Sequence, residues 1–121
     1  MRILLVENHA DTANCLRVYL IGSGHEVLIA ATVSKAREVL AHSAFDVLIS
    51  DISLPDGDGW ELMSGLDSSS IYGIAMSGFC TDADERRSQA AGFRHHLAKP
   101  FVPAELDTLL EMIETDDNVA A

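Results

Sequence analysis

The stretch Phe45-Asp46-Val47-Leu48-Ile49-Ser50-Asp51, running on into Ile52-Ser53-Leu54-Pro55-Asp56-Gly57, decides how the rest of the chain reads. Val47 through Ser50 is an unbroken run of apolar and small residues, the pattern of a short strand buried on both faces of a parallel sheet. The run stops at the carboxylate of Asp51, and a Leu-Pro step with glycines beyond it forces a turn. In open α/β sheets, ligands sit beyond the carboxyl ends of the strands. Asp also commonly starts turns, so the meaning of Asp51 depends on what ends the other strands.

On the N-terminal side, Arg2–Val6 is a short apolar run ending in Glu7-Asn8. Asp11 is the candidate N-cap of a helix in which Cys15, Leu16, Tyr19 and Leu20 recur at helical spacing, and Gly22-Ser23-Gly24 ends it. Glu26–Ala30 is a second strand, and Ser34 is the candidate cap of a helix reaching Ala41. On the C-terminal side, Gly59–Leu66 is a short helix with Leu62, Met63 and Leu66 facing inward. Ile71–Met76 is a fourth strand, ending at Ser77. Thr81-Asp82-Ala83-Asp84 has the form of a capping box for a sparsely apolar helix closed by Gly92. His95–Ala98 is a fifth strand ending in Lys99-Pro100. Pro103 then opens a last helix with the stripe Leu106, Leu109, Leu110 and Ile113, and residues 115–121 are expected to fray. Strand and helix alternate five times. That alternation predicts one domain over residues 1–121: a flavodoxin-like, doubly wound α/β fold with five helices, right-handed crossovers and five parallel strands in the order 2-1-3-4-5.

Composition bounds the function. The chain of 121 residues is long enough for one core, and no apolar run approaches the roughly 20 residues of a membrane span. The start, Met1-Arg2-Ile3-Leu4-Leu5-Val6, is too short for a signal peptide. Cys15 and Cys80 lack CxxC spacing and read as reduced thiols, which places the chain in the cytoplasm. A net charge of −11 and a pI near 4.6 repel phosphate backbones and anionic lipid, against direct nucleic-acid or membrane binding. An acidic chain that handles phosphate needs a metal ion or a placed lysine.

The strand ends supply both. Glu7-Asn8, Asp51, Ser77 and Lys99 share one edge if the sheet is parallel. Carboxylates with amide and carbonyl oxygens make a hard oxygen site suited to Mg2+, and a lysine opposite gives a point charge for a phosphoryl oxygen. Singly, Glu7-Asn8 reads as a loop start, Ser77 as a turn residue and Lys99 as a solvated charge. Four such coincidences at four strand ends are less economical than one site.

The segments Val6-Glu7-Asn8, Ser50 through Gly59, Met76-Ser77-Gly78 and Leu97-Ala98-Lys99-Pro100-Phe101 together resemble the receiver domain of two-component signalling, over essentially the whole chain. Ile49–Gly59 with Ala75–Phe79 is most similar to receivers at the C-terminal end of hybrid histidine kinases. The resemblance implies that Asp51 is the phosphoacceptor, attacking a kinase phosphohistidine in line, and that the domain is no enzyme beyond its own phosphorylation and dephosphorylation. It implies Mg2+ held by Asp51, Asn8 and the backbone carbonyl of Ser53, with Glu7 acting largely through water. Lys99 is expected to pair with the phosphoryl group, Ser77 to hydrogen-bond it, Ser77 and His96 to form the switch, and Ser53 and Phe79 to flank the path of attacking water. Expected partners are a histidine kinase or phosphotransfer domain, with output through another protein or a parent chain.

Asn8 departs from the pattern, which usually has an acidic residue there. A unit charge about 4 Å away is worth on the order of 4 kcal/mol at an effective dielectric near 20, so Mg2+ binding is expected to be weaker than usual. Two rivals follow. One is a non-phosphorylated pseudo-receiver that only docks; the other is a flavodoxin-like phosphatase using Asp51, a class that usually carries a second Asp where this chain has Ser53. Asp56-Gly57-Asp58-Gly59 reads as a turn with a helix cap rather than a calcium loop. His95, His96 and Cys80 lack zinc spacing, and Trp60 and Met63 read as residues packing a helix on the sheet.

Overall fold

In β1 (Arg2–Val6), Ile3 and Leu5 point to one face of the sheet and Leu4 and Val6 to the other, and all four are fully buried. A strand apolar on both faces needs a cover on both faces. The computed structural model describes residues 1–78 and 81–120, with side chains described through residue 114. The elements that follow are α1 (Ala10–Gly22), β2 (Glu26–Ala30), α2 (Val33–His42), β3 (Val47–Asp51), β4 (Ser53–Leu54), β5 (Gly57–Asp58), α3 (Gly59–Ser64), β6 (Tyr72–Ser77), α4 (Asp82–Ala91), β7 (Phe93–Ala98) and α5 (Pro103–Ala120). The main sheet runs β2-β1-β3-β6-β7 with every pair parallel, while β4 and β5 form a two-residue antiparallel ladder just past Asp51. Counted by its five long strands, the order is the expected 2-1-3-4-5.

Leu16 and Leu20 of α1 and Leu106 and Leu110 of α5 cover one face, over Ile3, Leu5 and Ile49. Ala36 of α2 and Leu62 and Met63 of α3 cover the other, over Leu4, Val6 and Leu48. All five residues of β3 are buried, as its unbroken run predicts. α4 is the exception among the helices. Only Ser88 of its ten residues is buried, so little apolar area holds it, in line with its polar sequence.

The caps correct the sequence reading in two places. His9, not Asp11, is the N-cap of α1, and it makes no side-chain cap bond; Asp11 sits in the first turn, where its charge suits the helix dipole. Thr32, not Ser34, caps α2, its hydroxyl accepting from the backbone of Lys35 at 3.0 Å. Ser34 N–H instead donates to Asp56 at 3.0 Å, beside Val33 N–H at 2.8 Å, so the carboxylate past β4 pins the start of α2. Asp58 caps α3 through the backbone of Glu61, and Thr81 with Asp84 closes the expected capping box on α4. Gly92, with φ of 111°, ends α4 in the left-handed conformation. β7 begins at Phe93, before the expected His95, because the Phe93 ring is needed in the core.

The tail expected to fray, 115–121, has side chains outside those described, and Phe79 and Cys80 lie outside the described residues altogether. Cys15 is an exposed free thiol. Among the described residues no helix is long and apolar enough to cross a membrane.

Candidate functional site

A parallel sheet delivers the ends of its strands to one rim, and here the ends are polar. Glu7 follows β1 and is 1% exposed; Asp51 ends β3 and is 6% exposed. Burial of two carboxylates without a cation is costly. Lys99, just past β7, supplies that charge: its Nζ donates to Glu7 Oε1 at 2.7 Å and to Asp51 Oδ2 at 3.0 Å. The backbone brings it there. Lys99 N–H donates to the carbonyl of Ser77 at 2.7 Å, tying the ends of β6 and β7 together, and the Lys99–Pro100 peptide is cis.

Asp51 is held from behind. Ile52 N–H donates to Met76 at 3.0 Å, and the Ser50 hydroxyl donates to the Asp51 carbonyl at 2.9 Å. Gly59 N–H donates to Ile52 at 2.9 Å, and a Cβ at Gly59 would lie 2.5 Å from the Asp51 carbonyl oxygen. Only glycine lets the first turn of α3 come this close. The turn carrying Ser53 is therefore folded back over the strand end.

The two carboxyls differ electrostatically. Burial pushes the Asp51 carboxyl up, the neighbouring Glu7 carboxyl pushes it further, and Lys99 offsets only part, so it stays above its ordinary value. Burial also pushes Glu7 up, but its contacts with Asp51 and Lys99 outweigh that and hold it below. Burial alone lowers the Lys99 ammonium, yet the two carboxyls more than restore it and raise it. Glu7 is thus the standing anion of the group, and Asp51 the one whose charge the surroundings resist.

A cleft of about 710 Å3 opens over this group, and Asn8, His9, Asp51, Ser53, Ser77 and Lys99 all line it. The structure thus gathers six of the eight residues singled out from the sequence: Lys99, Glu7 and Asp51 in direct contact, Asn8, Ser53 and Ser77 around the opening, while Phe79 lies outside the described residues. His96 stands apart. It pairs with Ala75 in the β6–β7 register, and its Nδ1 lies 3.0 Å from the Ser88 hydroxyl of α4. Ser88 also accepts from Trp60 Nε1 at 2.8 Å, and the Arg87 guanidinium lies 4.1 Å from the Trp60 ring centre. A chain of contacts therefore links α3, α4 and β7. His9, beside Glu7, was not singled out in the sequence, although its place next to the acidic strand end was a signal. Ser88 gave none, because its partners are distant in sequence.

The donor set fits a small hard dication. Glu7 Oε2 is buried and has no hydrogen-bond partner among the described residues, while its other oxygen is bound to Lys99. A buried carboxylate oxygen left this way is an unmet demand for positive charge, and Asn8 and Asp51 offer further oxygen ligands at the same opening.

The family description "Response regulator receiver domain" matches residues 3–111. An uncharacterized 14.6 kDa protein of Leptolyngbya boryana is 30% identical over 115 residues, covering 92% of this chain and 88% of that one. The KDP operon transcriptional regulatory protein KdpE of Escherichia coli is 32% identical over 111 residues, covering 91% of this chain and 49% of that protein. This chain therefore spans about half the length of that regulator. Among solved structures, a CheY-like response regulator receiver domain protein of Methanospirillum hungatei superposes with a TM-score of 0.88 at 26% identity, covering 97% of this chain and 96% of the other. A two-component response regulator of Clostridium difficile gives 0.92 at 21% identity, covering 98% of each chain, a likeness of fold.

Proposed function

This chain belongs to the response regulator receiver domain family, and from that premise we propose that it accepts a phosphoryl group on Asp51 from a histidine kinase or phosphotransfer protein. The observation that carries the proposal is the contact of Lys99 with Glu7 and Asp51 at 2.7 and 3.0 Å on the rim where the strands end. Asp51 supplies a carboxylate oxygen that bonds to phosphorus, while the P–N bond to the donor imidazole breaks and its electron pair returns to the ring nitrogen. Lys99, already placed on Asp51 Oδ2, is positioned to stay with a phosphoryl oxygen and balance its charge. Little else is demanded of the protein, because phosphoryl transfer depends mainly on positioning and charge stabilisation.

Mg2+ fits the donor set, with Glu7, Asn8, Asp51 and the backbone carbonyl of Ser53 as its holders; when bound it neutralises charge on the phosphoryl oxygens. Ser77 at the lip of the cleft is suited to hydrogen-bond the phosphorylated aspartate. His96, joined to Ser88, is suited to relay the change to α4. That helix is held by so little apolar surface that it can shift on phosphorylation, as low-stability elements do. Output then passes through α4 and β7 to another protein or to other parts of a longer chain. Asn8 alone favours the second reading, a receiver that docks without being phosphorylated.

Intact mass after incubation with acetyl phosphate and Mg2+ separates the two. The proposal expects a gain of one phosphoryl group that Asp51→Ala abolishes. No gain at saturating Mg2+ leaves the docking module, and rapid turnover of many equivalents indicates a phosphatase.

A further inference from the structure

One nitrogen ligand stands beside the two carboxylates. His9 Nδ1 lies 3.7 Å from Glu7 Oε2, and one ligand atom from each of Glu7, His9 and Asp51 lies within 4.8 Å of the others. Metal–ligand bonds of about 2.1 Å place donor atoms roughly 3 to 4 Å apart around one ion, so the spacing matches a site that needs only small side-chain adjustments. The oxygen facing His9 is the buried Oε2 of Glu7, the one with no hydrogen-bond partner among the described residues. At 3.7 Å the imidazole is too far to serve as its donor. The ring has no duty in the helix either: His9 is the N-cap of α1, yet its side chain makes no cap bond. It is also 73% exposed, so it can turn at little cost.

Ligand chemistry then decides which ion gains. Oxygen-only sites suit Mg2+, whereas imidazole adds affinity for first-row transition metals, whose affinity for a nitrogen and oxygen set rises from Mn2+ to Cu2+ and falls back at Zn2+. At the neighbouring position an acidic ligand would add a charge that serves Mg2+ as well; Asn8 adds none. Resting on the reading of this rim as a cation site, we propose that Glu7, His9 and Asp51 together bind a transition-metal dication of the Mn2+ to Zn2+ series, with the imidazole of His9 setting the preference over Mg2+.

The test titrates the intact chain calorimetrically with Zn2+, Mn2+ and Mg2+ chlorides, comparing the native protein with His9→Ala and Asp51→Asn. Visible absorption of the Co2+ complex reports nitrogen ligation. Losing even an outer-shell partner commonly costs about 10- to 100-fold in metal affinity, so either substitution should weaken Zn2+ binding by at least about tenfold. His9→Ala should change Mg2+ binding much less. Zn2+ affinity unaltered in His9→Ala overturns the proposal. So does an affinity lost in His9→Ala but kept in Asp51→Asn, which marks a lone surface histidine. Phosphoryl uptake from acetyl phosphate with Mg2+, followed by mass on the native chain, keeps the two claims apart. No uptake alongside Zn2+ binding that needs His9 and Asp51 supports this site and counts against the phosphoacceptor; uptake with Zn2+ binding indifferent to His9 does the reverse.

Discussion

Replacing Lys99 with Met removes the one cation that, among the described residues, touches both buried carboxyls, and its effect on stability should depend on pH in a defined sense. In the native chain the ammonium lies 2.7 Å from Glu7 and 3.0 Å from Asp51, and ligand atoms of the two carboxyls come within 4.8 Å of each other. Without the cation, two charges at that separation repel by about 3.5 kcal/mol at an effective dielectric near 20. Water in the open cleft and dissolved salt screen part of that repulsion. A loss of about 2 kcal/mol is expected in chelator near pH 8, below the 3–5 kcal/mol typical when a fully buried pair is broken. The sign with pH follows from Asp51. Its carboxyl is already raised above the ordinary value, and a raised acid contributes stability at low pH that is lost as pH rises through its folded-state value. Losing Lys99 raises it further. The deficit of Lys99→Met should therefore be smaller near pH 5 than near pH 8. Urea unfolding at the two pH values measures it. A deficit equal at both, or none at either, refutes the electrostatic account of the rim.

Other substitutions probe its remaining parts. Asn8→Asp adds a charge at the opening and should tighten Mg2+ by about tenfold or more, a fraction of the roughly 4 kcal/mol gross Coulomb gain; equal constants in calorimetry would contradict this. Gly59→Ala drives a Cβ to 2.5 Å from the Asp51 carbonyl, so it should cost about 1–3 kcal/mol in urea unfolding, as overpacking does, and an unchanged midpoint would show that the turn yields freely. Backbone N–H groups of Ser34 and Val33 hold the Asp56 carboxyl below its usual range. A depressed acid contributes stability above its unfolded-state value and loses it as pH falls. Asp56→Ala should accordingly lower Tm near pH 7, with the gap closing in acid; a gap independent of pH would count against the cap.

Much of this was legible before any coordinates, and the physical reasons differ by element. β3 was readable because a strand covered on both faces leaves no charged position in its run, and Asp51 was conspicuous because it broke that run. The rim followed from topology: once the sheet is parallel, Glu7, Asp51, Ser77 and Lys99 fall at one edge. The caps were less legible. His9, Asp11, Thr32 and Ser34 all carry side chains able to cap, and only the first helical dihedral decides between neighbours. Asp56 reads as a turn residue, since its acceptance of two N–H groups from α2 depends on a fold-back of more than twenty residues. The link Trp60–Ser88–His96 was invisible for the same reason, as three elements contribute one residue each.

The most direct test of the central claim is to find where a phosphoryl group goes. Treating the chain with acetyl phosphate and Mg2+, reducing the acyl phosphate with borohydride and mapping the altered residue by tandem mass spectrometry should mark Asp51 and nothing else, with no mark in Asp51→Ala. A mark on a different residue, one that survives in Asp51→Ala, or a chain left wholly unmarked at saturating Mg2+ would contradict the account.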